Sequence, residues 1–460
     1  MQQSEAARSV PGIASAQIDS MLKRERDRFL QANPTSAKLA ESAKAHWHNG
    51  VPMHWMLDWS TPFPLYAKEA RGATLTDVDG HSYDDFCLGD TGSMFGHSPE
   101  PVVRAIREQS TRGLTYMLST EDVPVVGQLL SDMFGLPYWQ VATTATDANR
   151  FVIRWCRAVT KRPKVLIMSG CYHGAVDDTF LRLDQDGKPA NRVGLMGQVY
   201  DLTQGTVVVE FNDLEAIERA LKTGDVACIL TEPALTNIGM VLPQEGYLDG
   251  MAALAKKYGT LLIIDETHTI STGYGGYTRM HNLKPDFFTL GKPVAGGIPC
   301  SVFGFTAEMA ERMRQAEEEA GPGYSGIGTT LSANALQLHC MRANLSEVMT
   351  PANYKHMLDL SERLARGVEK EIAKRNVPWH VSNVGARAEF VCAPTRPKNG
   401  AEAKAAMRPQ LELAVHLYLL NRGVLIAPFH NMTLLSPATT AAQVDHLIQT
   451  VGSCLDELKG

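Results

Sequence analysis

Two polar residues stand where a buried strand would end, and both could do chemistry. Asp265 and Glu266 directly follow the apolar run Leu261-Leu-Ile-Ile264. A carboxylate in such a place is costly unless a positive group or hydrogen-bond donors meet it. It reads as a helix cap, as a structural ion pair, or as the partner of a cationic ligand. Lys292 lies between the apolar run Phe287-Phe-Thr-Leu290 and the glycine-rich turn before Pro299. On a surface it is one more solvated charge. Partly buried, it would release its proton below the reference of about 10.4 and become a nucleophile able to form a Schiff base.

Three further stretches could bind a ligand. Val141-Ala-Thr-Thr-Ala-Thr-Asp-Ala-Asn149 puts small and hydroxyl residues at the start of a helix. Free N–H groups and threonine hydroxyls there suit a phosphate, and also suit an ordinary capped helix. Cys171-Tyr-His-Gly174 follows the apolar run Lys164–Met168. Tyr172 could stack on a planar ring, and His173 is a base or a structural residue. Gly273-Tyr-Gly-Gly276 lacks both the dinucleotide fingerprint and the lysine of a phosphate loop. His268 and His281 give no His-Glu-x-x-His spacing, so no metal site is expected.

These residues need a scaffold, and the chain supplies its pattern. Short apolar runs at Lys164–Met168, Val226–Leu230, Thr260–Ile264 and Cys300–Phe305 alternate with helical spacing such as Phe151–Val159 and 248–258. That alternation predicts an α/β fold, a mostly parallel sheet wrapped by helices, with the ligand site at the carboxyl ends of its strands. Asp79-Gly80 predicts a hairpin turn, and Ser98-Pro99-Glu100 a helix start. After a charged helix and break over 310–323, helices are expected at 332–347, 351–376, 403–422 and 440–458, in a smaller α+β domain. The polar first 45 residues read as helical. The expected organisation is an N-terminal segment, 1–75, that joins the small lobe; a large α/β domain, 76–325; and a small C-terminal domain, 326–460.

Composition narrows the partners. With 44 basic and 50 acidic side chains, the net charge of −6 gives no electrostatic reason to bind nucleic acid or an anionic membrane. No apolar stretch is long enough for a spanning helix. The eight cysteines form no Cys-x-x-Cys pair, so neither a zinc site nor a disulfide framework is indicated. A cytoplasmic protein is expected.

Taken in order, the motifs resemble the class III family of pyridoxal-phosphate aminotransferases, of fold type I, and within it the glutamate-1-semialdehyde aminomutase branch. The resemblance runs from about residue 60 to the C-terminus. It implies a large domain with a seven-stranded type of sheet and pyridoxal 5'-phosphate as cofactor. Lys292 in Thr-Leu-Gly-Lys-Pro-Val-Ala-Gly-Gly-Ile-Pro would bond the cofactor and then move the substrate proton. Asp265 would keep the pyridine nitrogen protonated. Thr144-Ala-Thr-Asp-Ala148 matches the phosphate turn, so Ala145 and Thr146 would hold the phosphate. Tyr172 matches the ring-stacking tyrosine, and Asn237 would approach the phenolic oxygen from the Glu232-Pro-Ala-Leu-Thr-Asn-Ile-Gly239 stretch. Thr330, in Gly328-Thr-Thr-Leu-Ser-Ala-Asn334, would reach the phosphate of a second copy, making a homodimer with a shared site.

The sequence also departs from the family pattern. Ala145 and Ala333 replace glycines. Thr267 replaces the valine usually beneath the ring, where its hydroxyl could bond the ring or fill space. The arginine that some β-amino-acid aminotransferases carry nearby is missing around Trp55. Trp55, Glu232 and Arg387 are the substrate candidates, with Arg387 suited to a carboxylate or to an ion pair with Glu389. The implied activity is ping-pong transfer of an amino group from an amino acid or amine donor to a keto acid, aldehyde or ketone acceptor. The alternative is an aminomutase, racemase or epimerase on the same scaffold. A fold-retaining binding protein would be expected to lack Lys292, and a dinucleotide oxidoreductase would need the glycine fingerprint.

Overall fold

The computed structural model describes residues 12–323 and 325–460. Of the helical lead-in expected over the first 45 residues, positions 1–11 lie outside the described residues. Ser15–Ala32 and Pro34–Ala43 form helices in the rest. The chain divides into two compact units. One comprises Glu100–Ala352 with Pro397–Ala405, and the other Met1–Pro99, Asn353–Arg396 and Ala406–Gly460.

The first unit is built on seven strands: β1 (Tyr138–Ala142), β2 (Lys164–Met168), β3 (Thr206–Val209), β4 (Val226–Thr231), β5 (Leu261–Asp265), β6 (Phe287–Leu290) and β7 (Ser301–Phe305). Their order across the sheet is β1-β7-β6-β5-β4-β2-β3. The pairs β6–β5, β5–β4, β4–β2 and β2–β3 are parallel, and only β7 runs against its neighbours. Every residue of β4, β5, β6 and β7 is buried. Burial on both faces explains why these strands read as unbroken apolar runs.

Register places the strand ends together. Ile264 lies beside Thr231 of β4 and Phe288 of β6, and Asp265 beside Thr289. The residues that follow β2, β4, β5 and β6 therefore emerge along one edge. Because β7 is antiparallel, its first residue, Ser301, meets Ala142 at the end of β1 on that same edge. Ser301 Oγ donates to the Thr144 carbonyl at 2.7 Å, which ties the β1 exit to β7. The edge strands β1 and β3 were not among the sequence-read runs. Tyr138 is exposed and Trp139–Val141 only half-buried, so β1 lacks the apolar signature of the centre.

In the second unit, Ala67–Arg71, Thr74–Asp77 and Ser82–Asp85 form the expected hairpin system, and Val424–Leu425 adds in parallel to its last strand. That pairing draws residues up to Pro99 into the unit of the C-terminal part, beyond the expected limit at 75. Conversely, the helix Ala335–Ala343 packs on Glu100–Ser110 and Asp122–Phe134, so the large unit extends to Ala352. A second sheet pairs His380–Val384, Arg387–Val391 and Met432–Leu434. The single helix expected at 403–422 is two helices, Gly400–Ala406 and Pro409–Leu420. Pro409 has no N–H to continue the first and fits the opening turn of the second. All eight cysteines are buried and free. Among the described residues no helix is long and apolar enough to cross a membrane.

Gly304 shows how tightly the β1–β7 pair is packed. It lies opposite Trp139, and a Cβ on it would come within 2.6 Å of the indole ring. Gly304→Val should destabilise the protein by about 1–3 kcal/mol through overpacking. A thermal or urea midpoint equal to that of the parent would refute this account of the strand pair.

Candidate active site

Asp265 closes β5 and is 3% exposed. Its Oδ2 accepts from His173 Nδ1 and from Asn149 Nδ2, each at 2.9 Å, and its Oδ1 accepts from the Thr267 N–H at 3.0 Å. Burial works against the carboxylate charge. The His173 ring, Thr267 and Asn149 outweigh it and hold the carboxyl at about 2. Burial works equally against the imidazolium, and Cys171 and Asp265 together raise His173 to about 10. At neutral pH the pair is a buried carboxylate–imidazolium contact. Asn149 is in turn fixed by the Thr289 hydroxyl, which donates to its Oδ1 at 2.8 Å. Its Nδ2 also donates to the His173 carbonyl.

Neither Asn149 nor the His173 contact was assigned from sequence. The available signal was an asparagine on the apolar face of the helix Ala145–Thr160, among buried Ala148, Phe151, Val152 and Ile153. A buried amide demands partners.

Lys292 follows β6 and opens a short 3-10 turn. Its backbone φ is +48°, a region that favours glycine and strains other residues. Its Nζ lies 2.8 Å from His268 Nε2. The preceding Gly291 N–H donates to the Thr267 hydroxyl at 3.2 Å. Thr267 thus links Asp265 through its N–H and the Lys292 loop through its Oγ1. Glu266 is fully enclosed. It accepts from the Thr269 hydroxyl at 2.6 Å, from the Thr278 N–H at 2.5 Å and from the Tyr277 N–H at 3.1 Å. It clamps the turn after β5.

The helix Ala145–Thr160 starts at the same edge. Thr144 caps it by accepting from the Asp147 N–H. Thr146 Oγ1 accepts from the Ala175 N–H at 3.1 Å, joining the helix start to the loop after β2. Gly174, at φ +85°, makes this approach possible: a Cβ there would lie 2.2 Å from Thr146 Oγ1. A Cβ on Gly291 would likewise lie 2.7 Å from that of Ala145. The Lys292 loop, the Tyr172 loop and the helix start are therefore in direct backbone contact. Tyr172 is 39% exposed, with the Arg192 guanidinium 5.2 Å from its ring centroid.

Glu232 is buried at the end of β4, and its Oε2 accepts from Thr236 N–H and Oγ1 at 3.2 and 2.5 Å. Burial pushes its carboxyl up. Asn237, beside it, is half-buried. Thr330 is exposed and lines a cavity of about 580 Å³ with Met117, Leu118, Val141 and Phe303. Trp55 and Arg387 belong to the other unit. Trp55 is exposed in a short turn, whereas Arg387 is 1% exposed and donates to the Thr91 hydroxyl. Glu389, its proposed ion partner, lies 2.9 Å from His430 Nδ1. Among the described residues no three histidine, cysteine, aspartate or glutamate side chains gather as for a metal.

Comparison with known proteins bears on this geometry. The model of the class-III aminotransferases matches residues 56–455. The chain belongs to that family. A crystal structure of a glutamate-1-semialdehyde-aminomutase from Pseudomonas aeruginosa is 47% identical, with a TM-score of 0.95, covering 97% of this chain and all of the other. A lysine-to-alanine variant of that protein was solved in complex with PMP. The glutamate-1-semialdehyde 2,1-aminomutase of Methanosphaera stadtmanae is 32% identical over 80% of this chain and 85% of its own. An omega-transaminase structure from Sphaerobacter thermophilus is 26% identical, with a TM-score of 0.84, over 92% of this chain and 98% of the other. This class-III chain has the fold type I architecture of pyridoxal-phosphate enzymes.

The Asp265–His173 pair sets a pH dependence of stability. His173 contributes as a cation fully below the ordinary 6.5, and its contribution fades as pH rises toward 10. Asp265 contributes above the ordinary 3.8, and fades as pH falls toward 2. His173→Phe should cost about 3–5 kcal/mol at pH 7, because it strands a buried carboxylate. It should also abolish the alkaline decline that His173 causes. Denaturation midpoints across a pH series check this, and an alkaline limb identical to the parent's would contradict it.

Proposed function

We propose that this pyridoxal-phosphate enzyme moves an amino group within one amino-aldehyde substrate, as an aminomutase of the glutamate-1-semialdehyde kind. The observation that carries this reading is the 47% identity, over nearly the whole of both chains, to the Pseudomonas aeruginosa aminomutase. The donor set also suits the cofactor. It offers an amine for an aldehyde, a buried carboxylate that stays ionised for a ring nitrogen, and a helix start with hydroxyls for a phosphate.

In this reading Lys292 would bond the cofactor, and Asp265 would hold a proton on its ring nitrogen. Asp265 can do so because His173, Asn149 and Thr267 keep it charged in a dry setting. The Ala145 N–H and the Thr146 hydroxyl would hold the phosphate. Thr146 already accepts from the Ala175 N–H, so its own hydrogen is left to donate. Tyr172 would lie along the ring and Asn237 near its phenolic oxygen. When bound, the cofactor supplies a carbonyl that captures amines and a ring that draws electrons from the adjoining carbon. Lys292 Nζ would then take a proton at one substrate carbon and return one at its neighbour. Thr267 would lie beneath the ring, with its hydroxyl accepting from the Gly291 N–H. Glu232, Trp55 and Arg387 stay as substrate candidates, of which Glu232 also braces its own loop.

We assign Thr330 to the phosphate of a second copy, in a homodimer. Its exposure supports this, together with the bare apolar side chains near it in the fold or the sequence: Met117 at 82%, Leu118 at 75% and Leu331 at 58% exposed. Such apolar surface commonly marks an interface.

A second reading, transfer between a small-molecule amino donor and a separate carbonyl acceptor, draws support from the likeness to the omega-transaminase. Lys292 and Asp265 serve either reaction. Holoprotein given a single amino aldehyde should convert it to its isomer with no added acceptor, and Lys292→Ala should not. A strict need for a second carbonyl substrate would favour the transaminase. Absence of a visible cofactor band and of a reducible adduct at Lys292 would sink both.

A further inference from the structure

We propose that His268 is a positioning residue for the Lys292 amine, an inference that rests on the role given to Lys292 above. The imidazole Nε2 and Nζ are 2.8 Å apart, and His268 is 5% exposed. At that separation there is room for one proton between the two nitrogens. An imidazolium and an ammonium would direct N–H groups at each other. The two nitrogens therefore share a single hydrogen bond, whichever of them donates. The His268 ring then aims the end of a long side chain that has four carbon–carbon torsions to fix.

The histidine can do this because its own backbone is fixed. It sits in the turn after β5, between Thr267, which is tied to Asp265 and Gly291, and Thr269, which is tied to Glu266. Glu266 also anchors the Tyr277 and Thr278 N–H groups farther along. The strained φ of Lys292 sets where its side chain leaves the backbone, and His268 sets where the side chain ends. A single turn thus carries the carboxylate at Asp265 and, three residues on, the imidazole that faces Lys292.

The test uses the whole protein, stripped of cofactor and then mixed rapidly with pyridoxal phosphate. Growth of the visible band reports capture by Lys292. His268→Phe should slow capture by about 10- to 100-fold, the penalty of a misplaced nucleophile. His268→Gln, which keeps a polar atom near the place of Nε2, should restore most of the rate. Pyridoxamine phosphate has no aldehyde and so reports the site without Lys292 bonding. Its dissociation constant should be unchanged in His268→Phe, as should the melting temperature. Capture at the parental rate in His268→Phe overturns the inference. So does weakening of pyridoxamine phosphate as large as the loss of capture, or failure of glutamine to restore the rate. If the parent shows no band, or Lys292→Ala still shows one, the reading of Lys292 itself fails and takes this inference with it. A normal parent with unaffected His268 variants removes only the inference.

Discussion

A negative charge held out of water organises the candidate site. Asp265 ends a strand buried on both faces, where an isolated carboxylate would take up a proton. It stays ionised because three donors from three different segments converge on it. His173 comes from the loop after β2, Asn149 from the helix after β1, and Thr267 from its own turn. Each of those donors is itself held. Asn149 is fixed by Thr289 of β6, and the His173 loop is locked to the helix start where Gly174 meets Thr146. The carboxylate is thus a test of the whole sheet edge, since one misplaced strand would leave it unpaired.

The two halves of the chemistry are mechanically joined. The turn after β5 carries Asp265, Thr267 and His268, and the turn after β6 carries Lys292. Parallel pairing puts these exits side by side, and Thr267 bridges them. The Glu266 carboxylate is spent on backbone N–H groups and a hydroxyl of its own connection, which makes that connection stiff. The adjacent acids Asp265 and Glu266 look alike in sequence, yet they divide into a chemical residue and a brace.

Much of this was legible in the amino-acid order, for identifiable reasons. Central strands advertise themselves because both faces are buried, as at Val226–Leu230 and Leu261–Ile264. Asp265 and Lys292 stood out because a charge next to such a run needs an explanation. The edge strand at Tyr138–Ala142 did not stand out, since exposure dilutes its pattern, and Thr206–Val209 is only four residues long. The break in the helix expected over 403–422 was written in Pro409 and overridden by the apolar periodicity around it. Asn149, His173 and His268 could not be paired with their partners in advance. Those contacts join segments distant in sequence or depend on a strand register that composition does not encode. Arg387 reads in sequence as a partner for a substrate carboxylate, and in the structure it donates to Thr91 of its own unit.

The left-handed backbone at Lys292 bears on how such a chain can change over generations. Glycine or asparagine would sit there with less strain than lysine. The backbone conformation therefore exerts no pull to retain the lysine; taken alone it favours loss. Only demand for the chemistry keeps the amine in place. A descendant freed from that demand could shed it, gain stability and keep every strand, leaving a sturdy scaffold with an inert pocket. Asp265 is different, because removing it would strand the cation beside it. Between these two residues, then, lysine is the sensitive marker of whether a member of this fold still turns over substrate, and aspartate is the slower clock.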